Sequence, residues 1–185
     1  MAARALDIEL GFNNLVRART MNLRFSTAIQ SDAPELAALH TAANENLTQR
    51  FGQGLWSSIA TEKGMLFNMR HKRVLVARKG NRIVGTLNLQ TKKPWAIDVS
   101  YFTPVKKSLY LTGMATLPAM QLQGVGRAVL EEATKIVRAW PADAIRLDAW
   151  DADAGAGPFY TKCGYREVAH ASYKGNPLIY FELVF

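Results

Sequence analysis

The order of strand and helix signals predicts a single-domain α/β protein, a mixed and mostly antiparallel central sheet flanked by helices. Three observations carry that reading. The β-branched runs Arg73–Arg78 and Arg82–Gln90 flank Lys79, Gly80 and Asn81, which is tight-hairpin chemistry. The glycine turn Gln121–Gly126 opens a helix with one apolar face, and a second pair of strand runs closes the chain. At 185 residues, 49% hydrophobic and 21% charged, the sequence can bury one core of its own.

The elements follow in order. Asn22 to Ala28 alternates as a first strand, and Ser31, Asp32 and Pro34 start a helix that runs to about Asn46. Apolar residues at Leu55, Ile59, Leu66 and Met69 suit a second helix over Thr48 to Met69, broken near Gly64. After the hairpin, Lys92 to Lys107 carries Pro94, Pro104, Trp95, Tyr101 and Phe102 and reads as a long loop, either a lid or a packed segment. Ser108 to Leu117 is a strand in which Gly113 marks a bulge or close approach. The helix Gly124 to Ala139 presents Val125, Val129, Ala133, Ile136 and Val137 on one side and stops at Pro141. Ala144–Trp150 is the next strand, Ala154 to Cys163 a short helix ended by Gly164, and Tyr165–Ser172 with Pro177–Phe185 a closing hairpin.

Residues 1–20 read as an N-terminal extension and 21–185 as the domain, because Met21 opens the first strand-like run; no export signal is expected, since Asp7 and Glu9 fall where such a signal is apolar. Apolar runs are broken well short of the roughly 18 residues a membrane helix needs, so no membrane partner is expected. The lone Cys163 excludes an internal disulfide, suits a small apolar role, and agrees with a reducing, cytoplasmic location. His40, His71 and His170 lack metal-ligand spacing, and no metal is expected. The net charge of +8 favours anionic partners, but it is dispersed and accompanied by no nucleic-acid motif, so no nucleic-acid partner is expected.

Gly124 and Gly126 let backbone amides close on an anion at the positive end of the following helix. A dinucleotide-binding turn would need a third small residue where Val129 stands, and a P-loop would need Gly-Lys-Ser or Gly-Lys-Thr.

The chain resembles the GCN5-related N-acetyltransferase (GNAT) family, whose diagnostic element is Gln or Arg, two residues, Gly, one residue, then Gly or Ala. Here this is Gln121, Leu122, Gln123, Gly124, Val125 and Gly126, after a strand and Pro118 and before a helix. The family also tends to place Asn, two residues, Ala, two residues and Phe-Tyr in the next helix; Asp153, Ala156, Phe159 and Tyr160 match with the Asn replaced, followed by Lys162, Gly164 and Tyr165. The likeness is strongest over Leu109 to Arg166. It implies the acyl-CoA N-acyltransferase (GNAT) fold over residues 21–185 and acetyl-CoA as cosubstrate.

The resemblance also implies site roles. The amides from Leu122 to Arg127 would cradle the diphosphate, with Arg127 and Lys162 as further positive candidates or as surface decoration. The strand before the cradle splays in this family, so Met114, Ala115 and Thr116 would pair with the pantetheine arm, and an amide near Met114 or Ala115 would polarise the acetyl carbonyl. Tyr160 would protonate the departing thiolate, or serve as a core aromatic beside Phe159. Ribosomal-protein alanine acetyltransferases, members of the family, carry a catalytic glutamate five residues before the Asn position. Asp148 stands there, as base, loop anchor or partner of Arg146, with Glu45 and Asp98 as competitors. Asp153 would accept from a pantetheine amide. Family members choose acceptors with the first two helices and variable loops, so Trp56, Trp95, Tyr101 and Phe102 are candidate walls.

The expected reaction is direct attack of a primary amine, on a small molecule or peptide, on the thioester. The alternative is a non-catalytic CoA-binding sensor or scaffold of the same fold. The oligomeric state stays open, a homodimer included.

Overall fold

A computed structural model describes residues 22–185, and the expected extension at residues 1–20 lies outside them. Seven strands form one sheet in the order β1-β2-β3-β4-β5-β7-β6. The strands are β1 Leu23–Thr27, β2 Arg73–Lys79, β3 Arg82–Gln90, β4 Ser108–Thr116, β5 Ala144–Trp150, β6 Arg166–Tyr173 and β7 Asn176–Val184. All neighbours are antiparallel except β4 and β5. Two hairpins follow from their turn residues. Gly80 and Asn81 join β2 to β3 with Lys79 opposite Arg82, and Lys174 and Gly175, both at positive φ, join β6 to β7.

Helices cover both faces. On one, α1 (Ala33–Phe51) buries Leu36, Leu39 and Ala43 against Val74, Val76, Ile83 and Ala115, with α2 (Glu62–His71) adding Met65 and Met69. Asp32 fixes the start of α1, since Arg78 donates to its Oδ2 at 2.7 Å and the Ile29 amide at 2.9 Å. Glu35 Oε1 accepts from the Ile83 amide at 2.7 Å. The opposite face carries α3 (Val125–Ala139) and α4 (Gly157–Lys162), and α3 lays Val125, Val129, Ala133 and Val137 on Leu75, Val84, Leu87, Ile145 and Leu147. That contact is close because β3 has Gly85 beneath it. A Cβ there would sit 2.9 Å from Val125 Cγ1 and 3.1 Å from Val129 Cγ2.

Three boundaries differ from the sequence expectation. The first helix runs on to Phe51, and the second begins only at Glu62. Gly64 does not break it: its amide donates to the hydroxyl of the capping Thr61 at 3.2 Å and so starts the helix. The fourth helix begins at Gly157, because Ala152 to Gly155 closes a separate turn with the Gly155 amide donating to the Ala152 carbonyl at 2.7 Å.

Residues 91–107 lie over the α1 face of β5 and β7 as a packed loop, with a 3₁₀ turn at Val99–Tyr101. Buried Glu182 holds it. Its carboxylate accepts from the Thr103 amide at 3.1 Å and the Thr103 hydroxyl at 2.6 Å and pairs with Arg166. Arg146 donates to the Thr103 carbonyl at 2.6 Å and lies over the Phe102 ring, while the Tyr180 hydroxyl donates to the Ala96 carbonyl.

Because Val125 and Val129 cannot both withdraw, Gly85→Ala is expected to cost about 1–3 kcal/mol. Chemical denaturation would read this as a lower midpoint at unchanged slope; a wild-type midpoint contradicts the close contact.

Candidate active site

Parallel pairing between β4 and β5 covers only Ser108, Leu109 and Tyr110 against Ala144, Ile145 and Arg146. Both strands continue for several residues, so a gap opens between Leu111–Thr116 and Leu147–Trp150. On its other edge β4 stays bound to β3 but carries an extra residue, since Asn88 faces Thr112 while Thr86 faces Ala115. This is the bulge that Gly113 signalled. Gly113 has φ +55°, and a Cβ there would lie 2.6 Å from Asn88 Nδ2.

The bulge sets which backbone groups face the gap. The Leu117 amide donates to the Val84 carbonyl at 3.0 Å. Backbone polar groups alternate sides along a strand, so Ala115 turns with Leu117 toward β3, and Met114 and Thr116 turn toward the gap.

The turn after β4 lies at the mouth of this gap. Leu122 and Gly124 are both left-handed, at φ +58° and +92°. Leu122 holds that conformation with its side chain fully exposed, a strain of the kind concentrated at ligand-binding turns. Gln121 Nε2 donates to the Thr116 carbonyl at 3.4 Å and Gln123 Nε2 to the Ala119 carbonyl at 2.8 Å, so both amides brace the turn. Val125 is buried at the start of α3, and the helix directs its free N-terminal amides outward beside Gly126. A Cβ on Gly126 would approach Phe159 at 3.2 Å and Met114 at 3.4 Å. Arg127 donates to the Lys162 carbonyl at 2.6 Å, joining the start of α3 to the end of α4.

Two titratable groups reach the gap from opposite faces. Tyr160, 6% exposed, comes from α4, and its hydroxyl donates to Met114 Sδ at 3.7 Å. Burial, then the nearby Asp148 charge, pushes its phenol well above the ordinary range, so it keeps its proton. Asp148 lies on the α1 face of β5 beside Tyr180 of β7, and burial raises its carboxyl above the usual carboxylate range. Arg146 is not its partner, because the guanidinium is taken by Thr103, Ser108 and Phe102. Trp150, two residues on and on the same face, meets Trp56 with ring centroids 5.4 Å apart.

Other candidates fall at the margin. Asp153 and the Lys162 side chain are exposed, and Cys163 is half-buried against the core. Asp98 caps its own 3₁₀ turn, accepting from the Ser100 amide at 3.0 Å and hydroxyl at 2.8 Å. Glu45 borders a pocket of about 360 Å³ beside α1. Trp95 is 83% exposed, Tyr101 half-exposed, and Phe102 buried under the loop. Sequence reasoning missed Trp150, although the two-residue period that turns Arg146 and Asp148 to one face includes it. No group of three or more His, Cys, Asp or Glu among the described residues could hold a metal ion.

Solved structures share this fold. A ribosomal-protein-alanine N-acetyltransferase from Brucella melitensis is 18% identical with a TM-score of 0.66, covering 88% of this chain and 99% of its own. The PaiA N-acetyltransferase from Thermoplasma acidophilum, solved with coenzyme A, is 14% identical with a TM-score of 0.69, covering 89% and 99%. A Salmonella typhimurium protein solved with its cofactor acetyl-CoA is 14% identical with a TM-score of 0.64, covering 88% and 93%. No curated protein matches the chain in sequence. The sequence profile of the acetyltransferase (GNAT) family matches residues 36–165, more than half of the chain, and this protein belongs to that family.

Proposed function

We propose that the protein transfers the acetyl group of acetyl-CoA to a primary amine of a small molecule or peptide by direct attack. The observation that carries this reading is the β4–β5 gap, with the turn at 121–126 at its mouth and the Tyr160 hydroxyl inside it. The residues fit coenzyme A. The left-handed pair Leu122 and Gly124 and the N-terminus of α3 suit its diphosphate, the Met114 and Thr116 backbone suits its amide-bearing arm, and Gly126 lets Phe159 and Met114 pack close beside them. Bound there, acetyl-CoA supplies the activated acyl group. The half-buried free thiol of Cys163 suits a reducing cytoplasm.

Each residue then has a task. The Met114 amide donates to the acetyl oxygen as the amine nitrogen bonds to the carbonyl carbon and negative charge gathers on that oxygen. Asp148, or a water beside it, takes the proton the amine loses. The Tyr160 hydroxyl, already directed at the Met114 sulfur, donates to the thioester sulfur as the carbon–sulfur bond breaks. Its high affinity for its own proton makes it first a hydrogen-bond donor, which suffices for a thiolate leaving group. Trp56 and Trp150 wall the acceptor's approach on the Asp148 side.

Incubation with acetyl-CoA and a panel of amines is expected to release free thiol. Silence with every amine, while coenzyme A still binds, would contradict the enzyme reading in favour of a binding module. Tyr160→Phe should lower kcat about tenfold to hundredfold with coenzyme A affinity retained, the cost of one hydrogen bond to a charged sulfur. Unchanged turnover removes its role.

Asp148 acts as base only when ionised, and its pKa is raised. The log of kcat/KM should therefore climb with pH through a value above the ordinary carboxylate range, and Asp148→Asn should abolish that limb and about 10²-fold or more of the rate. The fold binds this proton more tightly than the unfolded chain does, so stability from this group is present at low pH and lost as pH rises through the raised pKa. Asp148→Asn should melt higher than wild type at neutral pH; a lower melting temperature together with an intact acid limb would exclude the base role.

A further inference from the structure

Lys72 lies between α2 and β2, on the face that carries α1. Val74 and Val76 pack beneath α1, and strand alternation turns the residue two before Val74 the same way. Its side chain crosses β3, and Nζ donates to Thr112 Oγ1 of β4 at 3.4 Å. The ammonium is half-buried, and burial lowers its pKa. Other cations on this face have company: Arg78 has Asp32, and Arg166 has Glu182. Among the described residues, Lys72 has no carboxylate partner.

Its position bears on the reaction. Tyr110 pairs with Arg146 in parallel register, so two residues further Thr112 faces Asp148 across the opening gap, on the same face. A half-buried ammonium whose one polar partner is a hydroxyl gains much from an anion placed beside it. Paired strands stand about 4.8 Å apart, and more where they splay, which matches an amine and a carboxylate separated by a few bonds.

We propose that Lys72, supported by Thr112, binds the carboxylate of a small amino-acid-like acceptor whose amine is thereby presented to Asp148. The assignment rests on the N-acetyltransferase reading and narrows it, selecting free carboxylate-bearing amines over peptides whose carboxyl group is distant or blocked. Lys72 is then a specificity-determining residue. The cation offsets the repulsion that Asp148 exerts on an acidic acceptor and draws the amine into line with the gap.

The test uses the whole chain and matched acceptor pairs, free amino acids against their carboxamides, with thiol release as the readout. The wild type should favour the carboxylate over the carboxamide by about tenfold to hundredfold in kcat/KM, mostly through KM. Lys72→Met should bring that ratio toward one and Lys72→Arg should largely keep it, with coenzyme A binding used to confirm that both variants fold. Turnover indifferent to the carboxylate, or a ratio that survives Lys72→Met, overturns the assignment while leaving the acetyltransferase reading intact. A Lys72-dependent preference for succinyl-CoA over acetyl-CoA also overturns it, because the anion would then sit on the acyl donor. Absence of thiol release with any amine overturns the parent reading and this one with it.

Discussion

The structure turns on a ladder that stops. β4 and β5 share three residue pairs and then part, leaving backbone donors and acceptors of β4 in the middle of a sheet with no strand to receive them. Buried main-chain groups rarely stay unpaired, so such an interruption calls for a ligand with peptide-like groups of its own. Tyr160 enters this opening from one face, Asp148 from the other, and the glycine turn stands at its end.

Both walls are braced from behind. β4 is fixed on its far side by β3 through the bulge at Gly113, and α3 presses onto β3 at Gly85. β5 is paired along its length with β7, from Ala144 to Trp150. The loop over that half is anchored by Glu182, Arg146 and Tyr180, and its Ile97 and Phe102 pack on Tyr110, Leu178 and Tyr180. Against this frame the site retains unfavourable features, a buried carboxyl, a left-handed leucine and a half-buried ammonium that donates to a hydroxyl. Such costs persist where function requires them.

Much of this was legible in the sequence where local chemistry decides. Gly80 and Asn81 set the hairpin, Gly113 marked the bulge, and β5 ran from Ala144 to Trp150 as its apolar alternation indicates. The helices of the acceptor side were less so. Polar Gln49 and Arg50 hide the last turn of α1, and Gly64 looks like a breaker until the hydroxyl of Thr61 is seen capping its amide. Contacts between distant residues left no local trace. Nothing near Trp56 names Trp150, and nothing near Lys72 names Thr112; the first pairing arises because the connection between α1 and α2 reaches β5, the second because the end of α2 reaches β4.

The central claim is that the free edge of β4 receives the arm of coenzyme A. Amide hydrogen exchange, resolved to single residues with and without coenzyme A, tests it most directly. Slower exchange on binding is predicted at Met114 and Thr116 and in the turn from Leu122 to Arg127, with Ala115, already paired to β3, changing little. Exchange at Met114 and Thr116 that is indifferent to bound coenzyme A, with protection instead at the pocket beside α1, would contradict it.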